Sequence, residues 1–250
     1  KNQEKGILRN IWLRWKNPLG AQGLSLTAGR QIFRDGLEAP STDPTLLWLQ
    51  KSRISERLIG PFDYTHVGRS FDGGQVAFDN TAMNVTGFAF TPTWGGYEIN
   101  GNRELEIGVA GVSASLKALE ALPGTNARIF GIWYRDRREL VPVDNRPLAV
   151  RQADDGDIQI YTIGANATHV HAIGPGKADF LLWGAIQTGD WLSQDQDSWA
   201  TSFRTSGARR GCAPVSARDR GTPIRPTAIT RRSSRSCPPR APTRCSPSTT

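Results

Sequence analysis

From Ile7 to Lys16 the side chains alternate. Ile7, Ile11, Leu13 and Trp15 fall on one face and Asn10, Arg14 and Lys16 on the other, before Asn17-Pro18-Leu19-Gly20 breaks the run. Leu24 to Phe33 returns, with Leu24, Leu26, Ala28 and Ile32 sharing a face, and a long connection from Arg34 to Ser70 follows. Phe71–Asp79 and Val85–Thr91 form the next candidate pair. Tyr97–Arg103, which holds an Asn100-Gly101 turn signal, leads into Glu104–Lys117, where Leu105, Ile107, Val109 and Gly111 alternate with Glu106, Gly108 and Ala110. Ala127–Asp136 precedes a charged loop through Asp154-Asp155-Gly156, and Asp157–His169 and Ala178–Thr188 are joined by Gly174-Pro175-Gly176. A period of two repeated in this way predicts an all-β antiparallel meander of about eight or nine strands.

No stretch carries the long 3.6-residue stripe of an amphipathic helix, and none is apolar for the ~18 residues that a membrane helix needs. An α-helical membrane protein is excluded on that ground. Short turns alternate with long polar loops, as in an outer-membrane β-barrel. A soluble sandwich has the same rhythm, so the two faces of the strands must decide between them. Several strands set bulky apolar residues against small, polar or charged ones, and Trp12, Trp15, Phe33, Trp94, Tyr97, Trp133, Tyr134 and Trp191 sit near strand ends. An oily outside with aromatic girdles and a polar inside fits a barrel in lipid. A soluble carbohydrate-binding or carbohydrate-active β protein remains the alternative.

Composition changes at about residue 200. All eight tryptophans precede that point and all three cysteines, Cys212, Cys237 and Cys245, follow it. Residues 201–250 hold eleven of the chain's 31 basic residues, all Arg, and one of its 23 acids, Asp219, so the first 200 residues carry 20 basic and 22 acidic groups. The net +8 of the chain therefore belongs to its last fifth. The expected organisation is a partial β-barrel over 1–200 and an unstructured, basic Arg/Pro/Ser-rich tail over 201–250. Such a tail could bind nucleic acid. The favoured reading is translation out of frame, because codons for Cys237–Thr250 can be chosen so that reading one nucleotide earlier spells LPTARTYALFPFYN, an aromatic, strand-like string. No nucleic-acid partner is expected. No initiating Met and no signal peptide precede the first run, and the chain is expected to begin inside a strand.

An ordered series of short motifs points further. Leu26-Thr27-Ala28-Gly29-Arg30-Gln31 is followed by Arg57-Leu58-Ile59-Gly60-Pro61-Phe62-Asp63 and Gly68-Arg69-Ser70-Phe71-Asp72-Gly73. Then come Ala110-Gly111-Val112, Tyr134-Arg135, Tyr161-Thr162-Ile163-Gly164 and Trp183-Gly184-Ala185-Ile186-Gln187-Thr188-Gly189-Asp190-Trp191. Over nearly all of residues 5–200 this succession resembles the alginate export family of bacterial outer-membrane β-barrels, and the shifted-frame peptide resembles a later stretch of the same family. The resemblance implies a monomeric barrel in outer-membrane lipid that passes anionic polysaccharide or a small solute by diffusion. It marks Arg30, Arg57, Arg69 and Arg135 as candidate lumen contacts, with Asp72 and Gln187 as the partners that hold them. Arg suits the task because its planar, always-charged fork holds carboxylates bidentately, while surrounding water keeps each contact weak enough to release. The same residues could instead be ion pairs that brace the wall or a loop folded into the pore. Closed barrels with an aqueous channel use roughly 16–18 strands, so a fragment of this length is not expected to insert alone as a functional porin.

Other chemistry is weaker. His169 and His171 share a strand face but lack a third metal ligand nearby. Asp154, Asp155 and Asp157 could supply paired carboxylates for glycoside hydrolysis, yet they cluster around a Gly156 turn. Arg135, Arg137 and Arg138 beside Trp133 and Tyr134 could stack bases, although a strand-end collar explains them as well. No nucleophile elbow, phosphate loop or dinucleotide fingerprint occurs. The expectation is a non-enzyme with no catalytic residue, metal or cofactor.

Overall fold

The computed structural model describes residues 8–63, 68–95, 103–117, 122–138, 145–174 and 176–209. The chain divides into two units, Lys1–Cys212 and Ala213–Thr250, and every described residue lies in the first. The alternating runs become β1 (Ile11–Lys16), β2 (Leu24–Gln31), β3 (Phe71–Asp79), β4 (Met83–Pro92), β5 (Ile107–Leu116), β6 (Thr125–Asp136), β7 (Ile158–Ile173), β8 (Gly176–Trp191) and β9 (Gln194–Arg209). Each pairs antiparallel with the next in one nine-stranded sheet, ordered as in the sequence. The all-β antiparallel meander is thus the observed fold. The tight connections are built by side-chain chemistry. Asn80 accepts from the amides of Ala82 (2.9 Å) and Met83 (2.8 Å), and Asn17, at φ 49°, accepts from Gly23 (3.0 Å).

Two differences from the expected organisation stand out. β9 runs on to Arg209, so the compositional break at residue 200 falls inside a strand, and Thr201–Arg209 pair with Gly176–Gly184 of β8. The rest of the expected tail, 210–250, and most of the Tyr97–Arg103 run, 97–102, lie outside the described residues. The connection between β2 and β3 also contains structure that alternation did not suggest: a short helix α1 (Pro44–Leu49) continued by a π-helical turn, Gln50–Ile54. Asp43 caps α1, accepting from Thr45 (2.8 Å) and Leu46 (2.9 Å), and Pro44 occupies the first turn, where no amide is needed.

Register separates the faces. One row crosses the whole sheet as Trp15, Leu26, Val76, Gly87, Val112, Gly131, Ile163, Ile186 and Trp199, each directly opposite the next. It contains no polar side chain. The parallel rows Leu24–Phe78–Val85–Ala114–Ile129–Ala165–Gly184–Thr201 and Met83–Leu116–Ala127–Ala167–Leu182–Phe203 lie on the same face and are apolar except for Thr201 at the end of the first. This outer face is bare: Ile163 is 65 % exposed, Phe203 69 % and Trp199 75 %. With a rise of about 3.4 Å per residue, the band from the Leu13 row to the Met83 row is roughly 20 Å tall over β1–β7, whereas the Leu13 row becomes polar at Thr188 of β8 and Asp197 of β9.

The inner row next to it reads Lys16, Ser25, Ala77, Thr86, Ser113, Phe130, Gly164, Ala185 and Ala200. The segment between β2 and β3 lies against this inner face. Phe33 meets Phe88 at 4.5 Å and Phe90 at 5.1 Å between ring centroids, and Ile54 joins the same buried cluster with Phe71, Ile107, Val109, Phe130, Ile132, Leu181 and Trp183. In β5, therefore, Ile107 and Val109 are apolar on the inner side, because the segment covers them. Cross-strand glycines make room for the rings: Phe88 faces Gly111 and Phe130 faces Gly164.

Candidate functional site

The inner face gathers cations. An inner-face cavity of about 660 Å³ is bounded by Arg14 and Lys16 of β1, by Gln75, Asn84 and Thr86 of β3 and β4, and by Arg34, Glu38 and Lys51 of the segment. Strand parity puts Arg14 and Lys16 there, opposite Leu13 and Trp15 on the oily side. The acids at the cavity are already engaged. Glu38 is held by Arg128 (2.7 Å), Asp79 by Lys117 (2.7 Å), and Arg34 is met by Glu56 (2.6 Å) and Asp63. Arg14 donates to the Thr27 hydroxyl (3.0 Å) and lies 5.1 Å from the Trp12 ring. Among the described residues Arg14, Lys16 and Lys51 have no carboxylate within ion-pair distance. The cavity is consequently electropositive.

A second cationic group lies farther along the sheet. Arg57 stacks over Trp183 at 5.1 Å and donates to the Arg53 carbonyl (2.6 Å), while Arg53 lies 5.5 Å from Trp48. Burial, together with the neighbouring charges of Arg204 and Arg53, pulls the Arg57 guanidinium below its ordinary value. It remains charged at neutral pH, because an arginine starts far above it.

A buried cluster ties the segment to the sheet. Arg128 of β6 donates through one nitrogen, Nη2, to Asp35 Oδ1 and Glu38 Oε1, both at 2.7 Å, and its plane lies 4.5 Å from Phe130. The Arg128 side chain is 6 % exposed and both carboxylates 2 %. Burial pushes the carboxyls of Asp35 and Glu38 up, against the opposing pull of Arg128.

The residues marked by motif separate. Arg30 and Asp72 are cross-strand partners on the outer face, joined by two hydrogen bonds, Nε to Oδ1 (2.7 Å) and Nη2 to Oδ2 (2.5 Å). Arg135 is also on the outer face, bound to Asp157 (2.7 Å). These three belong to a polar belt at the long-loop end of the strands, with Gln159, Asp190 and Asp195, rather than to the inner face. The physical reason is parity: a motif gives a residue's position along the chain, whereas its face depends on the register of the strand it ends. Arg69 donates to the Thr93 carbonyl (3.0 Å) and lies 4.6 Å from the Phe62 ring. Gln187 is an inner-face residue, donating to Thr162 (3.0 Å) and accepting from Ser198 (3.2 Å). Of the motif set, Arg57 and Gln187 stand on the inner side, and Arg69 is close enough to Tyr134, which packs on the inner cluster, for its charge to act on that phenol. Sequence reasoning passed over Lys51, Arg53 and Arg204, and it placed Arg14 and Lys16 on the correct face without assigning them a task.

The weaker candidates have structural partners. The His169 and His171 rings lie 6.0 Å apart, and His169 Nδ1 is 2.8 Å from the Thr125 hydroxyl. Among the described residues no group of three metal-binding side chains occurs. The Ser193 hydroxyl and Arg146 pull the Asp154 carboxyl down to about 2, too acidic to give a proton to a leaving group at neutral pH. Comparison of the chain with protein-family models, with curated proteins and with solved structures gives no match.

Proposed function

We propose that this sheet is part of the wall of an outer-membrane β-barrel channel through which anionic polysaccharide or small anionic solutes diffuse, as the resemblance to the alginate export family implies. The observation that carries the reading is the row from Trp15 to Trp199, which crosses nine strands without a polar side chain and is bare of any covering element of the described chain. An exposed apolar band of this extent marks a membrane or a partner surface. Its height, near the ~25 Å of an outer-membrane barrel's apolar band, and its polar borders favour lipid. Arg30, Asp72, Arg135 and Asp190 border it at the long-loop end, and Thr125, His169 and Thr205 at the other.

The opposite face supplies the selectivity. Arg14, Lys16, Lys51 and the Arg53–Arg57–Arg204 group offer positive charge with no carboxylate at ion-pair distance among the described residues, which concentrates anions near the wall. Each contact is solvated and exchangeable, so an anion is attracted without being trapped. The sheet itself needs no catalytic group for this work. Passage is driven by the solute's own gradient.

Brominated-lipid quenching of tryptophan fluorescence tests the orientation. In liposomes or mixed micelles, Trp199→Phe and Trp15→Phe are expected to remove quenchable emission, whereas Trp183→Phe, whose ring is buried on the inner side, leaves the amount of quenched emission unchanged. Quenching lost with Trp183 and retained without Trp199, or a chain that stays monomeric in buffer and ignores lipid, would overturn the reading and favour a soluble carbohydrate-binding protein.

A further inference from the structure

The Asp35–Arg128–Glu38 cluster sets two carboxylates and one guanidinium in a place that water barely reaches. Both carboxylate oxygens accept from the same nitrogen of Arg128, so they lie close to each other, and the fully ionised cluster carries a net charge of −1. The second negative charge has no cation of its own. Among the described residues Glu38 Oε2 is buried without a hydrogen-bond partner, and so are Arg128 Nε and Nη1. An unsatisfied buried carboxylate oxygen beside another carboxylate favours retention of a proton. The cluster also joins two different parts of the structure: Asp35 and Glu38 belong to the segment between β2 and β3, and Arg128 belongs to the sheet.

We propose that Asp35, Glu38 and Arg128 form a proton-held latch, which fastens the segment to the inner face while one carboxyl keeps its proton and loosens it when both ionise. With the proton in place, the cluster is a neutral pair of Arg and carboxylate plus one carboxylic acid. Loss of that proton to solvent leaves two anions on one guanidinium nitrogen, and release of the segment hydrates them. The direction follows from linkage. A carboxyl whose pKa is raised in the fastened state binds its proton more tightly there, so acid favours fastening and rising pH favours release. The window lies above the ordinary carboxyl range of ~4.

The charged groups near the latch do not remove this sign. Arg34 is met by Glu56 and Asp63, Lys117 of the β5–β6 connection is taken by Asp79 of β3, and Arg14, Lys16 and Lys51 line the adjoining cavity. These positive charges ease ionisation of the cluster without reversing the effect of its burial. On the inner face the segment covers Phe88, Phe90 and Trp183, so its release would uncover the aromatic floor and widen the space beside the wall. The latch does not depend on whether the sheet lies in lipid.

Hydrogen exchange read by mass spectrometry on the full chain in mild detergent, from pH 5 to 9, tests it, with β7 and β8 peptides as the reference for intrinsic exchange. Protection of peptides within 33–59 is expected to fall with rising pH, by up to about tenfold per pH unit for one linked proton. Glu38→Gln keeps an acceptor for Arg128 and removes one titrating group, so its profile is expected to be flat. A flat or rising wild-type profile overturns the latch, as does an unchanged slope in Glu38→Gln. Should the variant fail to fold, the wild-type profile decides alone.

Discussion

Arg30 and Asp72 face each other directly across β2 and β3 and join through two hydrogen bonds, with both side chains less than one-fifth exposed. They stand one row beyond the oily band, at its border. A bidentate guanidinium–carboxylate pair fixes strand register there as well as charge. Arg30 also donates to the Leu8 carbonyl (3.4 Å), which draws the start of the chain to the same border.

The pair's role as a brace predicts a double-mutant cycle. Arg30→Ala and Asp72→Ala are each expected to cost about 1–2 kcal/mol, more than an open surface pair because the geometry is bidentate and half-buried. The double variant is expected to cost less than the sum, with denaturant midpoints in micelles as the measurement. Neither change is expected to alter anion binding, since the pair is on the outer face. A loss of anion affinity in Arg30→Ala would contradict this assignment and make the residue an anion contact.

The inner cavity predicts a different outcome for its lysines. Lys16→Ala with Lys51→Ala removes two cations that have no carboxylate partner among the described residues. Affinity for an oligouronate is expected to fall roughly tenfold, from about 0.5–1 kcal/mol for each solvated contact. The fall is expected to vanish at high salt, because screening removes the same attraction. Equal loss for a neutral oligosaccharide, measured by calorimetry, would point to a collapsed cavity instead.

Two glycines on neighbouring strands predict opposite responses. A Cβ at Gly111 would stand 2.6 Å from Phe88 Cζ and 2.7 Å from the Gly131 carbonyl oxygen, and the latter is backbone that cannot swing aside. Gly111→Ala is expected to cost about 1–3 kcal/mol through overpacking. A Cβ at Gly131 meets nothing within 4 Å, so Gly131→Ala is expected to change stability by less than about 0.5 kcal/mol. Thermal or urea unfolding of the two variants in the same detergent checks the contrast.

The period of two determined most of the strands, because alternation is a local property: successive side chains point to opposite sides whatever surrounds them. β3 begins and ends where the sequence pattern placed it, and the faces assigned to Leu13 and Arg14 hold. α1 escaped notice because six residues are too few to show a helical stripe, and the second half of β9, from Thr201, because its composition resembles a tail. Only tertiary structure decided which side is inner. Arg30 and Arg135 carry the same chemistry as Arg14, yet one row of register puts them on the outer border. Likewise, nothing in the spacing of Asp35, Glu38 and Arg128 announces a cluster, since their meeting depends on how a segment between two strands folds back over a third. Short-range sterics set the strands, and long-range packing set what those strands enclose.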